Sequence, residues 1–168
     1  MRRRTFITAS LGGTLVLAAG GVWWKKKYGT PARNAVFTQG SRLIFAALIP
    51  AIIGAPGGKP LSSAQINAAV ERVLETISGL PLVTQDEIGE LLSLLQIAAV
   101  RKLLAVSAPW TQATPQELAT FLQSWRTHSL SLLQSGYLAL HDLTTGAYYA
   151  AEDTWAMTGY PGPAIGFA

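Results

Sequence analysis

The apolar residues of this chain recur at helical rather than strand spacing. Residues 42–53, RLIFAALIPAII, form a nearly continuous apolar run that is too short to span a membrane, so they predict a buried core helix. Pro50 removes a backbone N–H donor, and we expect the helix to kink or end near Ile49. No stretch sustains the alternation of apolar and polar residues that a half-buried strand needs, so we expect no sheet.

The next predicted helix has a marked start and a marked end. Ser62 and Gln65 match a capping box, ahead of apolar residues at helical spacing from Ile66 to Ile77. Gly79 and then Pro81 follow this segment, a pair that is typical of a helix end.

A second capping pattern, Thr84 with Glu87, precedes an apolar segment that extends to Leu104. Between Leu91 and Val100, apolar positions occur almost all around the predicted helix. This distribution predicts a central helix with neighbours on more than one side.

The clearest helix start has Thr114 at the cap, Pro115 at the first helical position and Glu117 to complete the box. The apolar stripe ends at Trp125 and resumes at Leu130, which predicts two helices with a break around His128 and Ser129. We expect the second helix to lose its regularity at Thr144, Thr145 and Gly146, before the sequence AYYAAEDTW.

The final fourteen residues are uncharged and rich in glycine, proline and aromatic residues. Pro161 and Pro163 predict an extended course beyond Tyr160. We therefore predict an all-α fold, a small helical bundle with an N-terminal signal or anchor helix and an extended Gly/Pro/aromatic C-terminal tail. The predicted boundaries are 1–27 for the leader, 28–154 for the bundle and 155–168 for the tail.

The leader carries the strongest local signal in the chain. Arg3, Arg4, Phe6 and Ile7 give a twin-arginine pattern, and residues 7–24 are uncharged. The alternatives are an ordinary Sec signal or a plain anchor with a basic flank. A twin-arginine signal predicts export of a folded protein to the periplasm through the twin-arginine translocase.

Whether the leader is removed stays open. No A-x-A cleavage pattern is found near residues 18–24, and three lysines follow at once. As a helix, residues 7–24 would reach about 27 Å, close to the roughly 30 Å of a hydrocarbon core. If the leader is uncleaved, it would contact the inner membrane as an anchor.

Composition excludes several classes of function. Six of the 13 basic residues lie in the first 27 positions, which leaves seven basic against nine acidic residues and a net charge of −2 for the remainder. A nucleic-acid partner therefore has no electrostatic basis. The absence of cysteine excludes disulfides, thiolate nucleophiles and cysteine-ligated metals.

Catalytic candidates are few. His128 and His141 are the only histidines, and Asp142 adjoins the second. Adjacent helical residues point about 100° apart, so we expect His141 and Asp142 not to face each other. Glu71 and Glu75 lie on the same side of a predicted amphipathic helix, where we expect their carboxylates to be exposed to solvent and not to act as a catalytic pair. With no G-x-S-x-G motif and no P-loop in the sequence, these patterns favour a non-catalytic protein without a cofactor or metal of its own.

Several features together resemble the gluconate 2-dehydrogenase subunit 3 family: the leader, the segment LIFAALIPAIIG at residues 43–54, the helical middle and the terminal motif WAMTGYPGP. The motif residues are Trp155, Gly159, Tyr160, Pro161, Gly162 and Pro163. These family members are small subunits that accompany flavin dehydrogenases of the glucose-methanol-choline oxidoreductase class.

The resemblance implies a non-catalytic subunit that binds, stabilises and escorts a large FAD-dependent dehydrogenase during export. FAD would belong to that partner, a cytochrome c subunit is a further candidate partner, and the six motif residues would form the partner-binding tail. An uncharged aromatic segment of this kind suits a groove of another protein, with Trp155 or Tyr160 as anchors. It could equally wrap back on its own bundle.

Two other functions stay open. The chain could be a stand-alone periplasmic helical module that binds a small apolar ligand between its aromatic residues. It could also be a membrane-anchored enzyme that uses His141 and Asp142.

Overall fold

The computed structural model describes residues 32–104, 106 and 108–161, without the side chains of Ala32 and Leu103. These residues form α-helices and two short 3-10 helices, at Ala32–Ala35 and Pro56–Gly58, and contain no strand. The α-helices are α1 Gln39–Ile53, α2 Ser63–Ser78, α3 Leu82–Gln96, α4 Ala98–Leu103, α5 Pro115–Arg126, α6 Ser131–Tyr149 and α7 Glu152–Thr158. The prediction of an all-helical bundle is confirmed for this part of the chain.

Helix α1 is the centre of the bundle. It packs against α2, α3, α5 and α6, and Ile44, Phe45, Leu48 and Ile49 are completely buried. The predicted buried core helix is therefore confirmed. Burial of four large apolar side chains contributes roughly 1.5–3 kcal/mol each to folding, as an upper estimate.

The prediction of a central helix between Leu91 and Val100 was wrong. The chain breaks at Ile97, between α3 and α4, and the side chain of Leu94 is half exposed. Apolar residues on every side of a helix become buried only when other helices are available to cover each side. Here α1 packs against four helices, whereas α3 packs against α1 and the 3-10 helix Ala32–Ala35 and leaves Leu94 half exposed.

Pro50 does not end α1 as predicted. The helix continues to Ile53, and the N–H of Gly54 donates to the carbonyl of Pro50 at 3.0 Å. A proline inside a helix removes one backbone hydrogen bond, and burial of the flanking apolar residues offsets that loss. The chain leaves the helix at Gly54, whose φ of 75° favours glycine.

Two of the predicted helix starts are confirmed. Ser62 and Gln65 form a complete capping box at the start of α2, and Thr114 caps α5 by accepting the N–H of Glu117 at 3.2 Å. Pro115 is the first residue of α5, and α2 ends at Gly79 as predicted.

The predicted cap at Thr84 was wrong. Helix α3 begins three residues earlier than predicted, at Leu82, with Pro81 in the capping position. Thr84 and Glu87 thus lie inside the helix. The fixed φ of proline suits the entry into a helix, which allowed the helix to start before the threonine.

Helix α6 is longer than predicted. It runs without a break through Thr144, Thr145 and Gly146 to Tyr149. Thr144 and Ala147 are buried, so tertiary packing outweighs the weak helical preference of this segment.

Within the described residues, no helix has both the length and the apolar character to cross a membrane. The predictions for the leader, including Arg3, Arg4, Phe6 and Ile7, and for Gly162 and Pro163 in the tail lie outside the described residues.

Candidate functional site

Helix α7 forms most of the described part of the predicted tail. Glu152 and Asp153 occupy its first turn, where carboxylates suit the helix dipole. Gly159 ends it with a left-handed φ of 73°, and the N–H of Tyr160 donates to the carbonyl of Trp155 at 3.1 Å. The prediction that the tail is extended from residue 155 was therefore wrong for Trp155–Thr158, which are helical.

The turn at Gly159 brings two predicted anchor residues into contact. The rings of Trp155 and Tyr160 meet edge to face, with centroids 5.3 Å apart and an interplanar angle of 73°. The indole N–H of Trp155 donates to the carbonyl of Tyr149 at 3.0 Å. We call Tyr149, Trp155 and Tyr160 the aromatic surface.

The aromatic surface is accessible. The side chains of Tyr149 and Tyr160 are 39% and 49% exposed, Trp155 is half-buried, and Met157 on α7 is 38% exposed. Large aromatic residues that remain partly exposed on a monomer are the usual anchors of protein interfaces.

Two side-chain contacts, made by Arg72 and Thr154, hold α7 against the bundle. Arg72 on α2 donates to both carboxylate oxygens of Asp153 at 3.0 Å. Thr154 is buried, and its hydroxyl donates to the carbonyls of Tyr148 at 3.2 Å and of Ala151 at 2.7 Å. The position of the aromatic surface thus depends on α2 and α6 as well as on α7.

Tyr148 lies behind the aromatic surface. Its ring meets that of Tyr149 edge to face at 5.1 Å, and the residue is only 2% exposed. Its hydroxyl is buried and has no hydrogen-bond partner among the described residues. Burial, and then the nearby Tyr149 and Asp153, raises the pKa of this phenol above its ordinary value.

A cavity of about 230 Å³ lies between α2 and α7. The small side chains of Ala64 and Ala68 leave this space open on α2. Its other lining residues are Gln65, Arg72, Tyr148, Asp153, Thr154 and Met157. The volume is below the roughly 300–1,000 Å³ of typical ligand pockets, so the cavity suits only a small molecule.

Four of the predicted partner-binding residues therefore lie together at the end of α7. Gly159, Tyr160 and Pro161 follow one another, and the hydrogen bond from the Tyr160 N–H brings them back to Trp155. Gly162 and Pro163 lie beyond the described residues. The prediction did not include Tyr149 in the site, although the aromatic pair in AYYAAEDTW was a visible signal. No sequence signal indicated Arg72, which is 81 residues from Asp153.

His141 and Asp142 contact each other, contrary to prediction. The Nδ1 atom of His141 lies 2.9 Å from Oδ1 of Asp142, and the imidazole stacks on Tyr137 at 5.4 Å. Flexible side chains thus overcame the 100° offset between neighbouring helical positions. Asp142 is exposed and His141 is partly buried, and the Nδ1 atom of His128 accepts the N–H of Leu130 instead of joining them.

Glu71 pairs with Arg42 on the bundle surface, as a solvated flank residue would. In the described ranges, no group of three or more histidine and acidic residues is placed to hold a metal ion.

Comparisons with known proteins give no match, either to a family model, to a curated protein or to a solved structure. The resemblance based on the C-terminal motif stays a prediction.

Proposed function

We propose that this chain is a non-catalytic small subunit that binds, stabilises and escorts an FAD-dependent dehydrogenase of the glucose-methanol-choline type. The complex would leave the cytoplasm by twin-arginine export and act in the periplasm. FAD belongs to the large partner, and a cytochrome c subunit is a candidate for receiving its electrons. The leader, if retained, adds contact with the inner membrane.

One observation carries the partner-binding part of this proposal: the contact between Trp155 and Tyr160 on an accessible surface. Both residues belong to the motif that resembles the small-subunit family. Hot-spot residues of interfaces are enriched in tryptophan and tyrosine, and replacing such a residue with alanine costs about 2 kcal/mol or more of binding free energy. The sequence motif and the grouping of its side chains support the same role.

The leader supports the export part. Arg3 and Arg4 followed by Phe6 and Ile7 indicate a route that carries folded proteins. A flavoprotein that takes up FAD in the cytoplasm is folded before export, so a folded-state signal suits a chain that leaves together with such a partner. The signal on the small subunit would then serve both chains.

The test is co-purification from the periplasmic and membrane fractions with the full-length chain tagged between the leader and Arg33, away from the proposed partner-binding tail. We expect a stoichiometric partner with flavin absorbance. The double variant Trp155→Ala/Tyr160→Ala should lose the partner while the chain itself is still exported. Leu132→Ala, at a site on α6 that is 79% exposed, is the matched control and should retain it.

A second arm tests escort directly. Replacing Arg3 and Arg4 by lysine should leave both chains and the flavin in the cytoplasm. Export of the flavoprotein in cells that lack this chain would contradict the proposal, as would recovery of the chain alone and without flavin.

The cavity between α2 and α7 favours a second candidate, a stand-alone module that binds a small ligand. Ala64, Ala68 and Met157 provide its apolar wall. This function predicts that the chain purifies as a monomer with a small molecule detectable by native mass spectrometry. Ala68→Leu should fill the cavity and remove that mass.

A further inference from the structure

A carboxylate without an ion pair among the described residues lies next to the aromatic surface. Glu152 is exposed and lies one turn before Trp155 on α7, so the two side chains are neighbours on the helix. The adjacent Asp153 is paired with Arg72. Among the described residues, Glu152 has no ion pair, so its carboxylate is left to be balanced by a partner.

The ring geometry leaves aromatic faces open. In an edge-to-face pair, the ring that presents its edge keeps both of its faces uncovered by the other ring. Trp155 and Tyr160 form such a pair, and Tyr160 is about half exposed. The face of an aromatic ring carries negative electrostatic potential and attracts cations.

The indole N–H of the aromatic surface, its strongest hydrogen-bond donor, already has an acceptor within the chain. The indole N–H of Trp155 donates to the carbonyl of Tyr149, so it does not bind an acceptor on a partner. The surface therefore offers a partner its ring faces and the two tyrosine hydroxyls, and the neighbouring Glu152 adds a carboxylate. This combination complements a cationic donor rather than an anion.

We propose that the aromatic surface binds an arginine side chain of the partner protein. A guanidinium is planar and can stack on the Trp155 or Tyr160 ring while its N–H groups bond the Glu152 carboxylate. A lysine would supply the charge but neither the stacking plane nor the bidentate hydrogen bonds. This inference rests on the proposed partner-binding function and specifies the chemistry that the partner presents.

The test needs no partner protein. The full-length chain, labelled with nitrogen-15 at its tryptophan indoles and kept in an uncharged maltoside detergent, is titrated with N-acetyl-arginine amide. The matched probe is N-acetyl-citrulline amide, which has nearly the same shape and no charge. We expect a saturable shift of the Trp155 indole signal with the arginine probe only. The signals of the buried Trp110 and Trp125 should stay unchanged.

Variants identify the carboxylate. Glu152→Gln should weaken arginine binding about two- to fivefold, the range expected of one exposed cation contact. Glu87→Gln, at an exposed position on α3, should leave it unchanged. The Trp155 signal is assigned by its loss in Trp155→Phe.

Equal shifts with both probes, no shift with either, or unchanged affinity in Glu152→Gln would overturn the arginine proposal. These outcomes are separate from those of the co-purification test. A flavoprotein that binds through Trp155 and Tyr160 without arginine selectivity would leave the escort function standing. Arginine selectivity without a flavoprotein partner would support the arginine proposal and contradict the escort function.

Discussion

Gly136 on α6 lies directly against the Trp125 ring of α5, and replacing it with alanine tests the packing of the bundle. A Cβ atom at this position would lie 2.7 Å from Cζ3 and 3.2 Å from Cε3 of Trp125, and 3.7 Å from Cδ1 of Leu91. Trp125 is 4% exposed and packs against Phe121 with ring centroids 4.9 Å apart. The indole therefore has little space into which it can move.

Two opposing effects set the magnitude. Overpacking of a core typically costs about 1–3 kcal/mol, and replacing a helical glycine with alanine gains about 0.5–1 kcal/mol. We expect Gly136→Ala to lower the free energy of unfolding by up to about 2 kcal/mol, because the displaced group is a rigid buried ring.

Gly146 provides the matched control in the same helix. A Cβ atom there meets nothing within 4 Å, so Gly146→Ala should raise the free energy of unfolding by about 0.5–1 kcal/mol. Urea unfolding of the full-length chain, followed by far-UV circular dichroism in one detergent, measures both variants. Equal stabilisation by the two substitutions would refute the packing argument, because helix propensity alone predicts that result.

Three further predictions concern the N-terminal cap of α2 and the contacts that hold α7 against the bundle. Ser62→Ala should cost about 1 kcal/mol in urea unfolding, because it removes the cap of α2. Tyr148→Phe should leave stability near pH 7 unchanged or raise it by up to about 1 kcal/mol, since it removes a buried hydroxyl without a described partner. The folded-state pKa of Tyr148 is raised above 10.0, so the unfolded chain loses this proton first as the pH rises. The free energy of unfolding should therefore fall above about pH 10. Urea titrations against pH should show a smaller fall in Tyr148→Phe. Arg72→Gln breaks a partly exposed ion pair with Asp153, so it should cost at most about 1 kcal/mol globally but accelerate amide hydrogen exchange in α7.

The features that sequence predicted well depend on residues close together in the chain. Ser62 with Gln65, and Thr114 with Glu117, are three residues apart, so their capping bonds need no tertiary contact. The break between α5 and α6 also follows from local periodicity. Such signals can be interpreted without knowing what surrounds them.

The failures came from local rules that packing outweighed. Pro50 stays inside α1 because that helix is surrounded by apolar neighbours, and α6 passes through Gly146 because the residues around it are buried. Thr84 resembled a cap, but Pro81 allowed α3 to begin earlier. His141 and Asp142 contact each other because rotation about their side-chain bonds brings the two groups together, although their Cα–Cβ bonds point about 100° apart.

The amino-acid sequence by itself determined the helical class, two of the helix starts and the aromatic, uncharged character of the C-terminal segment, since all three depend on local chemistry. Only the tertiary structure decided that α1 is the central helix and that Arg72 holds α7 through Asp153. It also decided that Tyr149 lies beside Trp155. These arrangements depend on which helices cover one another, and the free energy of that packing is shared among residues far apart in the chain.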